Sequence, residues 1–166
     1  FIDYFLNLIT SLNSHQVWFD SHTTLKKRGK ELCLDPKLKK RIISFLAYKL
    51  KPIVNEEFRP NFIFWGRLSS EKRIDLSIKL FHAISKKINS SKFIIIGPDC
   101  GELFRLKKQI DDLHLNNRII FLSPLDINSI KMIAKDCLFF LQLSKDEGQG
   151  MSVLEAMQFG LIPIVT

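Results

Sequence analysis

The sequence predicts an α/β fold in which a parallel sheet is covered by helices on both faces. Two patterns lead to this prediction. Short, uninterrupted apolar runs alternate along the chain with longer segments whose apolar residues recur at helical spacing. A strand that is apolar along its whole length is buried on both faces, as in a parallel sheet whose connections are helices. With 166 residues, 46% of them hydrophobic, the chain has enough apolar material for one full domain and part of another.

The regular alternation begins after residue 60. The first strand, at 62–66, is an apolar run that ends at Gly66, and the following helix places five apolar residues on one face: Ile74, Ile78, Phe81, Ile84 and Ile88. The same reasoning predicts strands at 93–97, 118–122, 138–143 and 161–165. Helices are predicted at 103–113, 127–135 and 151–159, the last with Leu154, Ala156 and Met157 facing inward.

The first third of the chain has a less regular pattern. Residues 1–12 are apolar but too short to span a bilayer and lack the basic start of a signal peptide, so they predict a packed helix. Residues 16–21 predict a strand. A basic stretch follows at 25–51, where Lys37, Lys39, Lys40 and Arg41 precede several apolar residues and predict an amphipathic helix.

Residues 146–160, DEGQGMSVLEAMQFG, are the most informative segment. They place Glu147 and Glu155 around a glycine-bearing turn that opens a helix. The first backbone N–H groups of such a helix favour a phosphate. Carboxylates only accept hydrogen bonds, so two of them flanking an anion suit a ligand with hydroxyls at both ends, such as a nucleotide sugar. The alternative is that one glutamate caps the helix and the other is solvated.

Two further segments end in groups suited to a ligand. Arg67 and Lys72 follow the strand at 62–66 and could grip a diphosphate. Alternatively they are solvated, with Glu71 as the capping partner of a preceding serine. Gly97 ends the next strand, where loops line the ligand crevice of an open parallel sheet, although a purely structural glycine is equally compatible.

In this order, the segments resemble the donor-binding C-terminal half of the group 1 retaining glycosyltransferases of the GT-B fold. The resemblance covers roughly residues 50–166. It rests on Gly66-Arg67-Leu68 with Glu71-Lys72, on Ile94-Ile95-Ile96-Gly97, on Glu147 through Glu155 with Ala156-Met157, and on Gly160 and Pro163-Ile164-Val165. Two positions depart from the family pattern: Arg73 replaces a usual glycine, and Gln149 replaces a frequent aromatic residue.

The resemblance implies a transfer of a sugar, with retention, from a nucleoside-diphosphate sugar to an acceptor hydroxyl. It implies catalytic roles for Glu147 at the transferred sugar and for Arg67 and Lys72 at the diphosphate, and a ribose-binding role for Glu155. It assigns further donor contacts to Gly66, Gly97, Gly150, Met151 and Ser152. No metal or cofactor is expected, because no Asp-x-Asp pair occurs in the chain.

The resemblance also implies a domain division. Residues 1–57 would be the tail of an acceptor-binding half with the linker, and residues 58–166 the nucleotide-sugar-binding domain, truncated at its C-terminal end. The chain alone should then bind donor weakly and turn over little. The expected acceptor is a saccharide or a lipid-linked molecule, in polysaccharide, lipopolysaccharide or glycolipid synthesis.

The net charge of +8 calls for a partner of opposite sign. The segment from Lys37 to Arg41 could adsorb to an anionic membrane surface, which would make a cytoplasmic protein peripheral at the inner membrane face. Nucleic acid is a less favoured partner, since no interleaved aromatic platform accompanies the charge. A non-catalytic nucleotide-sugar sensor and a basic membrane-adsorbing module remain alternatives. Cys33, Cys100 and Cys137 are widely spaced, which predicts reduced, buried thiols rather than a zinc site or disulfides.

Overall fold

The computed structural model describes residues 16–19, 39–42, 60–148 and 150–166. The chain divides into two compact units, residues 1–47 with 147–150 and residues 48–146 with 151–166. The predicted boundary near residue 57 lies outside the described residues and stays a prediction, as do the helix at 1–12 and the linker that precedes the boundary.

Within residues 1–47, the described part is a pair of parallel strands. β1 (Gln16–Phe19) pairs with β2 (Lys39–Ile42) from end to end. β1 confirms the strand predicted at 16–21. β2 shows that the predicted basic helix is wrong at Lys39–Ile42, because these residues extend to form a backbone ladder with β1, and that pairing overrides the local helical pattern. The rest of that predicted helix, including Lys37, lies outside the described residues.

The second unit is a five-stranded parallel sheet with helical crossovers. The strands are β3 (Phe62–Trp65), β4 (Phe93–Ile96), β5 (Ile119–Leu122), β6 (Phe139–Gln142) and β7 (Ile162–Val165), arranged in the order β5-β4-β3-β6-β7. The helices are α1 (Ile74–Ser85), α2 (Leu103–Asp112), α3 (Ile127–Ala134) and α4 (Met151–Gln158). A 3-10 turn at Ser70–Lys72 precedes α1. Every element predicted after residue 60 is present, with ends shifted by at most three residues.

The strand order places β3 in the centre of the sheet, where the chain reverses its direction of growth. The chain runs outward from β3 to β4 and β5, then returns to β6 and β7 on the other side of β3. Ligands of open parallel sheets bind outside the carboxyl ends of the strands at such a reversal point. The segments that follow β3, β4 and β6 are therefore where this fold favours a ligand site.

Aromatic side chains fill the core on both faces of the sheet. Phe62 stacks on Phe139 with ring centroids 4.9 Å apart, and Phe81 meets the edge of Phe62 at 5.5 Å. Within α4 the predicted inward face needs a correction. Ala156 is fully buried and Leu154 half-buried, but Met157 is 55% exposed. Met157 follows Ala156 by about 100° around the helix, and Phe159, three residues after Ala156, takes the buried place instead.

The two described cysteines differ from each other. Cys137 is buried, and this burial, with a smaller contribution from Asp136, raises the pKa of its thiol to about 12. Cys100 is exposed in the loop between β4 and α2, so the expectation of a buried thiol is wrong there. Cys33 lies outside the described residues. Within the described ranges, no helix combines the length and apolarity needed to cross a bilayer.

Candidate functional site

Two glycines lie in close contact at the carboxyl ends of β3 and β4. The N–H of Gly66 donates to the carbonyl of Ile96 at 3.0 Å, and the N–H of Gly97 donates to that of Leu122 at 3.1 Å. A Cβ atom on Gly97 would lie only 1.8 Å from the carbonyl oxygen of Gly66. Gly97 also has a φ of +154°. Position 97 is therefore restricted to glycine by a backbone-to-backbone approach, which fixes the shape of the sheet edge.

The same two segments remain paired beyond the ends of the strands. The N–H of Leu68 donates to the carbonyl of Pro98 at 2.9 Å, and the N–H of Cys100 donates back to the carbonyl of Leu68 at 3.1 Å. These bonds fix the backbone on both sides of Arg67, whose side chain is exposed. A fixed backbone under an exposed guanidinium suits the binding of an anion from solution.

A cavity of about 300 Å³ opens beside this paired segment. Its walls come from the ends of β3, β4 and β5 and from the first turns of α2. They consist of Leu68, Gly97, Pro98, Asp99, Leu103, Lys107, Phe121, Leu122, Ser123 and Pro124. Most of these side chains are apolar, with a few polar groups among them, which is the usual make-up of a small-ligand pocket. Of these residues, only Gly97 is among the site residues predicted from the sequence.

Asp99 organises the loop between the cavity and α2. Its carboxylate accepts hydrogen bonds from the N–H groups of Gly101, Glu102 and Leu103, at 2.8, 3.0 and 3.1 Å. The bond from Leu103 is the largest cause of the lowered pKa of Asp99. Asp99 is not among the site residues predicted from the sequence. The signal for it was an aspartate just ahead of a helical pattern, because such a side chain can satisfy the unpaired N–H groups of a first turn.

The 3-10 turn carries the second predicted cation, Lys72, which is half-buried. The Ser69 hydroxyl donates to the Glu71 carboxylate at 2.9 Å, and no side chain caps the turn. Glu71 therefore does not cap the turn. Its carboxylate bonds to the Ser69 side chain instead. The carbonyl of Glu71 accepts from the N–H of Lys145 at 2.8 Å. This bond attaches the turn to the segment that follows β6.

Arg73 ends the turn in the left-handed conformation, with φ 47° and ψ 45°. Its N–H donates to the carbonyl of Ser70, and its carbonyl accepts from Leu76 and Ser77 in the first turn of α1. Glycine adopts this conformation freely, whereas other residues adopt it at a cost of roughly 1–2 kcal/mol. Glycine, which the family resemblance leads one to expect at this position, would adopt the conformation without that cost.

We expect Arg73→Gly to stabilise the protein by about 0.5–1 kcal/mol, because the relieved strain exceeds the extra chain entropy of glycine. Urea denaturation of both proteins measures the difference. Arg73→Ala is the matched control, since alanine loses the charge but retains the strain. An equal gain from alanine would show that charge, not conformation, is responsible.

Two side chains of helix α4 form hydrogen bonds with the last residues of β3 and β6. The indole N–H of Trp65, the last residue of β3, donates to a carboxylate oxygen (Oε2) of Glu155 at 2.8 Å. The Ser152 hydroxyl, in the first turn of α4, donates to the side-chain carbonyl of Gln142, the last residue of β6, at 2.8 Å. The two bonds place Ser152 and Glu155 at the sheet edge that also carries Gly66 and Gly97.

The structure thus brings together most of the predicted donor-binding residues within the second unit. Gly66, Gly97, Ser152 and Glu155 lie at one edge of the sheet, and Arg67 directly follows Gly66. Met151 begins α4, and Lys72 lies on the turn attached to the segment after β6.

Glu147 and Gly150 belong to the other unit. That Glu147 and Glu155 flank one ligand therefore stays a prediction. Glu147 is half-buried and follows β6 by five residues, and Gly150 has a φ of +63°. Gln149, between them, lies outside the described residues. Among the described residues, no group of three or more His, Cys, Asp or Glu side chains could hold a metal ion.

Comparison with known proteins identifies the family. Residues 49–166 match the family model described as glycosyl transferases group 1. The chain belongs to this family. The resemblance inferred from the sequence is confirmed.

The part that each curated relative shares with this chain makes up between 18% and 28% of that relative's length. The chain is 31% identical over 107 residues to a GDP-mannose:cellobiosyl-diphosphopolyprenol α-mannosyltransferase of Xanthomonas oryzae, covering 63% of this chain and 28% of that protein. It is 35% identical over 92 residues to a poly(ribitol-phosphate) α-N-acetylglucosaminyltransferase of Staphylococcus aureus, covering 55% and 18%. The chain thus spans less than a third of the length of either relative.

Solved structures show the same fold at low sequence identity. TarM of S. aureus, crystallised with Fondaparinux, α-GlcNAc-glycerol and UDP, superposes with a TM-score of 0.79 at 19% identity, over 98% of this chain and 32% of TarM. HepE of Anabaena, crystallised with UDP and glucose, superposes with a TM-score of 0.76 at 19% identity, over 99% of this chain and 48% of HepE. The predicted Rossmann-like, GT-B-type fold is confirmed.

Proposed function

We propose that this chain provides the donor site of a glycosyltransferase that moves a sugar, with retention, from a nucleoside-diphosphate sugar to an acceptor hydroxyl. The observation that carries the proposal is the hydrogen bond from Trp65 to Glu155. It places a carboxylate at the carboxyl end of the central strand, and the segment that follows this strand carries Arg67 and contributes Leu68 to the cavity wall. A nucleotide sugar requires three elements: a group that accepts hydrogen bonds from its hydroxyls, an apolar cavity for its base and a cation for its diphosphate.

The nucleoside fits the second unit in a specific direction. The cavity lies beyond β3, β4 and β5, and Glu155 is attached to the end of β3 by α4 on the β6 side. Neighbouring strands are about 4.8 Å apart, so a base in the cavity and a ribose at Glu155 would lie over adjacent strand ends. We therefore place the base in the cavity and the ribose hydroxyls on Glu155, whose carboxylate can accept several hydrogen bonds.

The diphosphate then lies toward Arg67, Lys72 and the start of α4. Negative charge builds on the diphosphate as the bond to the sugar breaks, and cations that face it stabilise that charge. The N–H groups at Met151 and Ser152, in the first turn of α4, favour an anion for the same reason. By resemblance to the family, Glu147 orients the transferred sugar near its reacting face, with Gly150 beside it.

The relatives support both the donor and the acceptor class. HepE and TarM were crystallised with UDP. The Xanthomonas relative is named for mannosyl transfer to a diphosphopolyprenol, and a Streptococcus pneumoniae relative is named as an α-monoglucosyldiacylglycerol synthase. We propose a saccharide or lipid-linked acceptor in the cell envelope, with an enzyme that works peripherally at the inner membrane face. Arg67 and Lys72 would stabilise the leaving diphosphate without a metal.

Titration calorimetry with UDP, GDP and ADP, each beside its nucleoside, tests the donor site. We expect one diphosphate to bind more tightly than its nucleoside, and Arg67→Ala to weaken that diphosphate by about 10- to 100-fold, the loss of one charge-assisted hydrogen bond. Affinity for the nucleoside alone should stay the same, because the base and ribose do not contact Arg67.

Arg105→Ala is the matched control, since Arg105 is exposed on α2 and pairs with Glu102 and Asp75. It removes the same charge from the chain, so it reports any loss that comes from net charge alone. The proposal fails if no diphosphate binds, or if Arg67→Ala leaves every diphosphate affinity unchanged.

A further inference from the structure

Trp65 combines a buried ring with one directed polar group. The residue is 6% exposed and ends the central strand β3. Its ring meets the edge of Phe140, with centroids 4.6 Å apart, and lies 6.0 Å from that of Phe159. These contacts fix the plane of the indole. The N–H on its rim therefore points in a set direction, and it points at Glu155.

The hydrogen bond between Trp65 and Glu155 can form in only one direction. An indole nitrogen can only donate a hydrogen bond and an ionised carboxylate can only accept one, so the pair has a single possible polarity. A hydrogen bond to a charged acceptor is stronger than one between neutral groups. Glutamate has three rotatable side-chain bonds, and a 2.8 Å bond to a rigid donor restricts where its carboxylate can lie.

We propose that Trp65 is a positioning residue that presents the Glu155 carboxylate to the ribose hydroxyls of the donor. This inference rests on the proposed function and adds the group that holds Glu155 in place. Phenylalanine at position 65 would supply most of the buried surface but no donor. Without that donor, the Glu155 carboxylate would lose a contact that fixes its direction, and each ribose contact would bear more of the cost of ordering it.

The test compares ribose with dideoxyribose ligands. Calorimetry on the chain measures the affinities for UDP and GDP and for their 2′,3′-dideoxy forms, and the ratio within each pair reports hydroxyl recognition. For the base that binds, we expect wild-type protein to prefer the ribose form by about tenfold or more. Trp65→Phe should reduce the preference to about two- or threefold, while affinity for the dideoxy form stays within about twofold.

A second substitution links the effect to Glu155. In a Glu155→Ala background the preference for ribose should already be lost, and adding Trp65→Phe should not change it further, because the indole then has no carboxylate to position. Phe64→Leu is the packing control. It alters the adjacent buried position without removing a hydrogen-bond donor, and it should keep the ribose preference of the wild type.

The outcomes are distinct. A Trp65→Phe protein that keeps the wild-type preference for ribose, or that loses affinity for both forms equally, overturns the positioning role and leaves a packing role. Urea denaturation confirms that each variant is folded at the assay temperature. A wild-type protein that binds none of UDP, GDP and ADP overturns the proposed function instead.

Discussion

Gly97→Ala should reduce nucleoside-diphosphate affinity by about 100-fold and destabilise the protein by roughly 2–4 kcal/mol. The added methyl carbon would lie 1.8 Å from the Gly66 carbonyl oxygen, so one backbone segment must move. Any movement that relieves the contact separates the ends of β3 and β4. It would displace the loop that carries Arg67 and one wall of the cavity together. Calorimetry with UDP and GDP and urea denaturation measure the two effects.

Gly101→Ala is the matched control for this prediction. Gly101 lies in the same loop with a φ of +94°, but a Cβ atom there would meet nothing within 4 Å. This variant therefore bears the conformational strain without the collision. We expect it to lose only about 1 kcal/mol and to keep most of its nucleotide affinity. If the two variants behave alike, strain rather than close approach explains the glycine at 97.

Arg118→Leu should destabilise the protein by about 3–5 kcal/mol. Arg118 lies just before β5, at the amino edge of the sheet. Its guanidinium donates to the carbonyls of Ser85, Ile88 and Ser91 and to the Ser91 hydroxyl, at 2.7 to 3.1 Å. It also lies 5.8 Å from the centre of the Phe81 ring. Leucine would leave several carbonyls at the end of α1 without this donor, and each such loss is costly.

Arg105→Leu is the control for this second prediction. Arg105 is half-exposed on α2 and forms ion pairs with Glu102 and Asp75, which solvent screens. We expect it to cost less than about 1 kcal/mol. Folded Arg118→Leu protein should retain its UDP or GDP affinity, because Arg118 lies at the edge of the sheet opposite the candidate site. Equal losses of stability in the two variants would contradict the stabilising role assigned to the hydrogen bonds of Arg118.

The two predictions separate the two edges of the sheet. At the amino edge, Asn61 accepts from the N–H of Lys92 and donates to the carbonyl of Asp136, while Arg118 clamps the end of α1. These side chains are occupied with backbone groups and serve the fold. At the carboxyl edge the backbone itself makes the close contacts, through Gly66 and Gly97, and side chains such as Arg67 remain exposed. The amino edge thus serves stability, whereas the carboxyl edge contributes both to stability and to the candidate ligand site.

Sequence patterns predicted the second unit well because its strands are almost entirely apolar and its helices are amphipathic. Both signals are local, so they can be recognised without a partner. The basic segment shows the limit of this reasoning. Residues 39–42 have a helix-compatible pattern, yet they form β2 because β1 lies alongside. A strand that depends on a partner residue more than twenty positions away leaves no clear local signal.

The candidate site followed the same rule. The chain itself determined which groups follow which strands: Arg67 after β3, Gly97 after β4, and Glu155 in the helix after β6. Only the tertiary structure decided that β3 lies between β4 and β6, that the Gly66 and Gly97 backbones touch, and that Trp65 holds Glu155. The reason is physical. Local periodicity fixes the elements, whereas close approach of backbones and the aim of a buried N–H depend on packing between elements that are distant in the chain.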